Sequence, residues 1–320
     1  MKTLIVQIPA YNEEKTIAKV IKDIPRKIRG IDEVKVLVSD DHSTDNTIDE
    51  AEDAGADYIL PHKHNQGLGR NFKHAIDKCL ELGADIIVNI DADGQFNPKD
   101  IPKLIRPIRE HEADMVTCSR FLSPEMTKNM PLLKRFGNKM FVLLINSLIG
   151  QKFSDTQCGF RAYSREAALR LNINGKFTYT QEVFIDLVGK NLKIKEIPLE
   201  VKYFEERKSH ISSDLISYGL KSLGIIARAT RDSKPLSFFG SPGIAIFLLG
   251  LLGAAFSFFY WLEYRTSSPV KTLSNVSTFF MIFGVSLCIL GLMADMMKTL
   301  KRNQDEILYR MKKNEYKKEE

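Results

Sequence analysis

Ile86 to Gln95, written IIVNIDADGQ, is the stretch that most constrains what this chain can fold into. Its first half is a β-branched apolar run of the kind that forms a strand buried on both faces, and it stops abruptly at two carboxylates and an amide. In an extended segment Asp91, Asp93 and Gln95 share one side, and the small residues Ala92 and Gly94 between them leave room for a ligand. Such oxygens suit a hard divalent cation, Mg2+ or Mn2+, with phosphates completing the shell. A lone Asp-x-Asp is more often a solvated turn after a strand, so its meaning depends on the rest of the chain.

Strand-like and helix-like stretches alternate on both sides of it. Thr3 to Ile8 reads as a strand broken by Pro9, followed by AYNEE and by Ile17, Val20, Ile21 and Ile24 at helical spacing. Val34 to Ser39 is a second strand, ending in DDHSTD, where Ser43, Thr44 and Asp45 are capping residues for a helix over Thr47 to Ala54. Tyr58 to Leu60 is a third, and NQGLGRN leads into a helix with Phe72, Ala75, Ile76, Cys79 and Leu80 on one face. Further on come a strand over Met115 to Cys118 ending in SRF, an apolar-rich helix over Leu132 to Ile149, the loop DTQCGFRAYS, helices over 165–171 and 181–188, and an edge strand over Lys193 to Tyr203 that Pro198 interrupts. The alternation predicts an α/β fold with a largely parallel sheet, in which ligands gather outside the C-terminal ends of the strands. PAYNEE, DDHSTD, NQGLGRN and DADGQ all lie there. A dinucleotide site is excluded, because the first strand-to-helix turn is PAYNEE and contains no glycine, and no Walker-type phosphate loop is present.

The 320 residues are 44% hydrophobic, and the apolar content concentrates near the C-terminus. Leu236 to Leu262 and Val276 to Met297 are each long enough to cross a ~30 Å hydrocarbon core, which takes roughly 20 apolar residues. The competing reading is a pair of buried core helices. Basic residues flank the pair: Lys221, Arg228, Arg231 and Lys234 precede it and Lys298, Lys301 and Arg302 follow, whereas the Glu263 to Asn275 loop carries only Arg265 and Lys271. That asymmetry predicts an integral membrane protein with a hairpin whose two chain ends are cytoplasmic. Asp214 to Arg231 has the pattern of an amphipathic helix lying at the bilayer surface, and the tail from Lys301 reads as a frayed or disordered charged segment. No cleavable signal is visible at Met1-Lys2, so the N-terminal domain is expected in the cytosol. Cys79, Cys118, Cys158 and Cys288 form no Cys-x-x-Cys pair, which predicts reduced structural thiols and no zinc. The net charge of +6 sits largely in the juxtamembrane and tail regions and suits an anionic bilayer, not nucleic acid.

PAYNEE, DDHSTD, NQGLGR, DADGQ, SRF and DTQCGFRAY, in that order over roughly residues 1–210, resemble the family 2 glycosyltransferases with a GT-A fold. With the hairpin added, the chain resembles the polyprenyl-phosphate hexosyltransferases, the group containing dolichol-phosphate mannosyltransferase and bacterial undecaprenyl-phosphate glucosyltransferases. The resemblance implies a cytoplasmic catalytic domain over 1–210, a juxtamembrane helix over 211–235, two spans over 236–297 and a tail over 298–320. It implies a nucleotide pocket lined by Pro9, Ala10, Tyr11, Asn12, Glu13, Asp40, Asp41 and Asp91, and a Mg2+ or Mn2+ ion on Asp91, Asp93 and Gln95. Asp93, Arg120 and Asp155 are the implied catalytic residues, with Arg120 reaching the donor diphosphate and Asp155 shaping the sugar and acceptor side with Gly159, Phe160 and Arg161. Lys134, Arg135, Arg207 and Ser212 would meet the acceptor phosphate, although the chain has His210, Ser212 and Ser213 where the family often has a glycine and then serine-lysine. The implied partners are a nucleotide-sugar donor, a dolichyl or undecaprenyl phosphate and the lipid bilayer, and the sequence leaves room for a homo-oligomer. Two alternatives are a glycosyltransferase that extends a saccharide or glycolipid, and a non-catalytic membrane-anchored scaffold. The first would carry a Gln-x-x-Arg-Trp motif, whereas the one tryptophan, Trp261, falls inside a span.

Overall fold

The computed structural model describes residues 1–122, 132–173, 179–201, 231 and 234–317. Arg207, Ser212 and nearly all of the expected surface helix over 214–231 lie outside these. The chain divides into two compact units, Met1–Arg207 with Ile307–Glu320, and Lys208–Glu306.

The first unit is built on a seven-stranded sheet. Its strands are β1 (Thr3–Ala10), β2 (Glu33–Asp40), β3 (Tyr58–Pro61), β4 (Ile86–Asn89), β5 (Met115–Ser119), β6 (Arg161–Ser164) and β7 (Ile194–Pro198), in the order β3-β2-β1-β4-β6-β5-β7. All pairings are parallel except those of β6, which runs antiparallel to β4 and β5. Helices α1 (Ile17–Lys22), α2 (Thr47–Asp53), α3 (Leu68–Glu81), α4 (Ile101–Arg109), α5 (Leu132–Ile149), α6 (Arg165–Arg170) and α7 (Thr180–Gly189) fill the connections.

Every residue of β1 is buried, and its side chains alternate between two cores. Leu4, Val6 and Ile8 pack with Ile17, Val20 and Ile21 of α1, while Ile5 packs on the other face with Phe72, Ala75 and Ile76 of α3. The strand does not stop at Pro9; it runs on to Ala10, which pairs with Asp40. Gln7 presents its carbonyl to Ile90 on the β4 side, so Pro9 presents its backbone to that side too, beyond the last β1–β4 pair at Asn89, where no donor is required.

The DADG segment also differs from expectation. Strand β4 ends at Asn89, and a turn at Gly94, with φ of +72°, replaces the extended alternation that would have aligned Asp91, Asp93 and Gln95. Part of the expected DTQCGFRAYS loop is strand β6, and the expected edge strand is β7, ending at Pro198.

The second unit contains α8 (Pro235–Tyr264), a 3-10 turn (Ser268–Val270) and most of α9 (Lys271–Glu315). Both helices are long and apolar enough to cross a membrane, and only 17% of each apolar window is buried, which disfavours the core-helix reading. Glycines bring α8 and α9 together: a Cβ on Gly250 would lie 2.7 Å from the Ser277 carbonyl oxygen, and one on Gly284 would lie 2.6 Å from that of Gly243. The tail is not frayed. Helix α9 continues to Glu315, and its last turns belong to the first unit, where the Lys312 ammonium meets Asp77 at 2.6 Å.

Candidate active site

Strands β1 and β2 end side by side, so the loops that follow them interlock. The Asn12 N–H donates to Ser43 Oγ at 2.9 Å while its Oδ1 accepts the Thr44 N–H at 2.8 Å, and the Glu13 N–H donates to Thr47 Oγ1 at 2.8 Å. Asp40 accepts the Ser43 N–H at 2.9 Å, and Asp41 accepts the N–H groups of Gln66 and Gly67 at 2.7 and 2.9 Å. Both carboxylates are nearly closed to solvent, and part of their acceptor capacity goes into holding these loops. The N-cap of α2 is Asn46, which makes no side-chain capping bond, so none of the expected capping residues Ser43, Thr44 and Asp45 occupies that position; Asp45, one residue before it, accepts the Thr47 N–H at 3.1 Å. Tyr11 is half-exposed.

Beyond β4, Asp91 keeps part of its surface open while its carboxyl is pushed up to about 7, first by removal from water and then by the neighbouring charge of Asp93. Arg161 and Arg120 pull the other way and Glu13 adds to the rise, so these groups share one electrostatic neighbourhood. Asp93 is oriented by the Gln95 N–H, which donates to its Oδ1 at 3.0 Å. Among the described residues no three His, Cys, Asp or Glu side chains make a closed cage. Two adjacent carboxylates with an open side fit a cation whose remaining ligands are waters and phosphate oxygens. Gly159 completes this wall: a Cβ there would sit 2.6 Å from Asp91 Oδ2.

Arg120 and Asp155 form a two-pronged pair, Nε to Oδ2 at 2.6 Å and Nη2 to Oδ1 at 3.0 Å, with Asp155 fully buried. Asp155 Oδ1 also takes the Gln157 N–H at 3.0 Å. Arg161 is fully buried and turned inward, donating to the carbonyls of Cys158 and Thr156 at 2.8 and 3.1 Å and lying 4.9 Å over the Phe184 ring. Asn89 donates to the Gly159 carbonyl at 2.7 Å and to the Tyr179 hydroxyl at 3.0 Å. Arg161 and Asn89 thereby fix the loop that carries Asp155 and Gly159.

Residues 5–171 match the family described as Glycosyl transferase family 2. This chain belongs to that family. Two relatives extend the likeness. A UDP-N-acetylglucosamine–dolichyl-phosphate N-acetylglucosaminyltransferase of Methanococcus voltae is 32% identical over 68% of this chain and 92% of its own length. Glycosyltransferase AglJ of Haloferax volcanii is 30% identical over 92% of this chain and 94% of its own. Glucosyl-3-phosphoglycerate synthase of Mycobacterium tuberculosis, solved with Mn2+, UDP and phosphoglyceric acid, superposes with a TM-score of 0.54 at 23% identity, covering 72% of this chain and 78% of that one. That likeness establishes the GT-A fold.

In this family 2 glycosyltransferase, the loops at the strand ends bring the nucleotide, metal and catalytic candidates to one edge of the sheet. The acceptor candidates are placed only in part. Lys134 and Arg135 lie in the first turn of α5, their side chains falling outside the described residues together with all of Arg207 and Ser212. Sequence reasoning passed over Asn89, which reads as the last residue of an apolar strand, and Glu196, which sits next to Lys195 in a short edge strand and reads as one of a pair of surface charges. Glu196 accepts the N–H groups of Ser154 and Asp155, at 2.8 and 2.9 Å.

Proposed function

We propose that this glycosyltransferase moves a hexose, with inversion, from a nucleotide-sugar to a polyprenyl phosphate at the membrane surface. The observation that carries the reading is the joining of the Arg120–Asp155 pair to the Asp91 carboxylate through one short loop, in a unit where Asp40 and Asp41 hold the loops after β2 and β3. The dolichyl-phosphate acceptor of the Methanococcus relative and the two apolar helices support the choice of a lipid acceptor.

The nucleotide lies over Pro9 to Glu13 with Asp40 and Asp41, and its diphosphate points toward Asp91, Asp93 and Gln95, which would hold Mg2+ or Mn2+. When such a cation is bound, it neutralises charge that develops on the leaving diphosphate. Arg120, set by Asp155, presents its guanidinium to the same oxygens, so stabilisation grows as the anomeric C–O bond lengthens. An acceptor phosphate oxygen forms the new bond to the anomeric carbon from the opposite face, and the electron pair of the broken bond leaves with the nucleoside diphosphate. The phosphate is already ionised at neutral pH, so the step requires no strong general base. Lys134, Arg135, Arg207 and Ser212 supply the contacts that hold it in line. Both chain ends lie on the cytoplasmic side, as the flanking basic residues direct.

The test is incubation of the purified membrane protein with Mn2+, polyprenyl phosphate and a panel of labelled UDP- and GDP-sugars. An acid-labile glycolipid with the anomeric configuration inverted is expected; a retained configuration, or transfer only to a saccharide, overturns the reading.

A further inference from the structure

Glu196 lies on the edge strand β7, opposite Thr117 of β5 and on the face it shares with Ile194, which packs against the core. It is half-buried, and its carboxylate turns toward the segment between α5 and β6. One oxygen takes the Asp155 N–H at 2.9 Å, the other takes the Ser154 N–H at 2.8 Å, and both lie 3.1 Å from the Ser154 hydroxyl. Ser154 Oγ is in turn 2.6 Å from Ser119 Oγ, which accepts the Phe121 N–H at 3.2 Å. A single carboxylate therefore ties the backbone of residues 154 and 155 to β7 and, through two serines, to the residues on either side of Arg120.

We propose that Glu196 is a positioning residue for sugar transfer, holding the Ser154–Asp155 backbone so that Asp155 keeps Arg120 aimed at the donor diphosphate. The inference rests on the role given to Arg120 above. It follows from what the site demands chemically. Two N–H groups and a hydroxyl converge on one point, and only an acceptor-only group with lone pairs on both ends can take them together. Asp155 is fully buried with both oxygens engaged, so its carboxylate cannot shift without breaking the fork to Arg120. Moving the backbone by a fraction of an ångström moves the guanidinium, and a small misplacement of a transition-state group costs rate while leaving the fold intact.

Glu196→Gln makes the test, because the amide turns an NH2 donor toward a backbone N–H. In the full-length protein in lipid nanodiscs, hydrogen exchange at the Ser154 and Asp155 amides is expected to quicken while that of β1 and β4 stays as in wild type. kcat is expected to fall roughly ten- to a hundred-fold, the loss that goes with one hydrogen bond to a charged group, with the KM for the lipid acceptor little changed. Glu196→Asp, acceptor-only like the native side chain, is expected to recover most of the rate. Combined with Asp155→Asn, Glu196→Gln should cost little further, because both act through Arg120. Unchanged amide exchange, additive losses in the double variant, or a loss confined to KM each overturn the proposal. A wild-type protein that transfers no sugar to polyprenyl phosphate overturns the functional reading itself, and the positioning role falls with it.

Discussion

Gly159 lies so close to Asp91 that a Cβ on the glycine would stand 2.6 Å from one carboxylate oxygen and 3.0 Å from the other. The residue is glycine because the loop after Asp155 closes directly on the side chain that β4 delivers. Gly159→Ala is expected to force Asp91 out of its rotamer and weaken Mn2+ binding by about tenfold or more, the scale of a lost charged contact. Mn2+ titration by electron paramagnetic resonance checks this, with the melting temperature monitored to show that the fold survives.

The proposed role of Asp91 as a metal ligand predicts that metal binding depends on pH. Its carboxyl holds a proton up to about 7 in the folded protein, against an ordinary value of 3.8, because burial and the Asp93 charge disfavour ionisation. A raised folded value means that the folded state binds the extra proton between those limits, so this contribution to stability is present at low pH and is lost as pH rises through about 7. A cation bound at Asp91 would displace that proton, so Mn2+ affinity is expected to rise by about tenfold per pH unit below neutrality and to level off above it. Asp93→Asn keeps the acceptor for the Gln95 N–H but removes the like charge. It should move the plateau to lower pH and abolish most transfer activity.

The hairpin depends on glycines whose neighbours are backbone atoms. Gly250→Ala would place a methyl 2.7 Å from the Ser277 carbonyl oxygen and 2.8 Å from the Met281 nitrogen, and neither can swing aside. Overpacking of this kind costs about 1–3 kcal/mol. Gly240→Ala serves as the control within α8, since its Cβ meets only the end of Leu236 at 3.8 Å. Thermal unfolding in detergent should separate the two variants.

Helix α9 ends as part of the first unit. The Tyr309 ring lies 4.0 Å beneath the Arg170 guanidinium, its hydroxyl donates to Glu166 at 3.0 Å, and little of it is exposed. Tyr309→Ala is expected to destabilise this unit by about 3 kcal/mol, as for truncation of a buried aromatic residue. Met311→Ala, at an exposed position nearby, should change it by about 0.5 kcal/mol or less. Denaturant titration followed by hydrogen exchange in α3 and α6 provides the comparison.

Local pattern alone determined much of this protein. The apolar runs of β1 and β2, the buried face of α3 from Phe72 to Leu80, the extent of α5 and the two apolar helices depend on side chains a few positions apart. The ordered polar clusters at the strand ends were legible too, because parallel topology carries them to one edge of the sheet. Tertiary structure decided the rest. Strand β6 is four residues long and begins with a buried arginine, whose burial is made tolerable by the carbonyls of Thr156 and Cys158 and the ring of Phe184. Its partners on β4 lie far away along the chain, so nothing near Arg161 distinguishes it from a surface charge. Glu196 and the end of α9 follow the same logic. A carboxylate on a short edge strand, or a tyrosine in a charged tail, becomes structural only when folding brings partners from a distant segment within about 3 Å, because hydrogen bonds and close packing act only at contact distance.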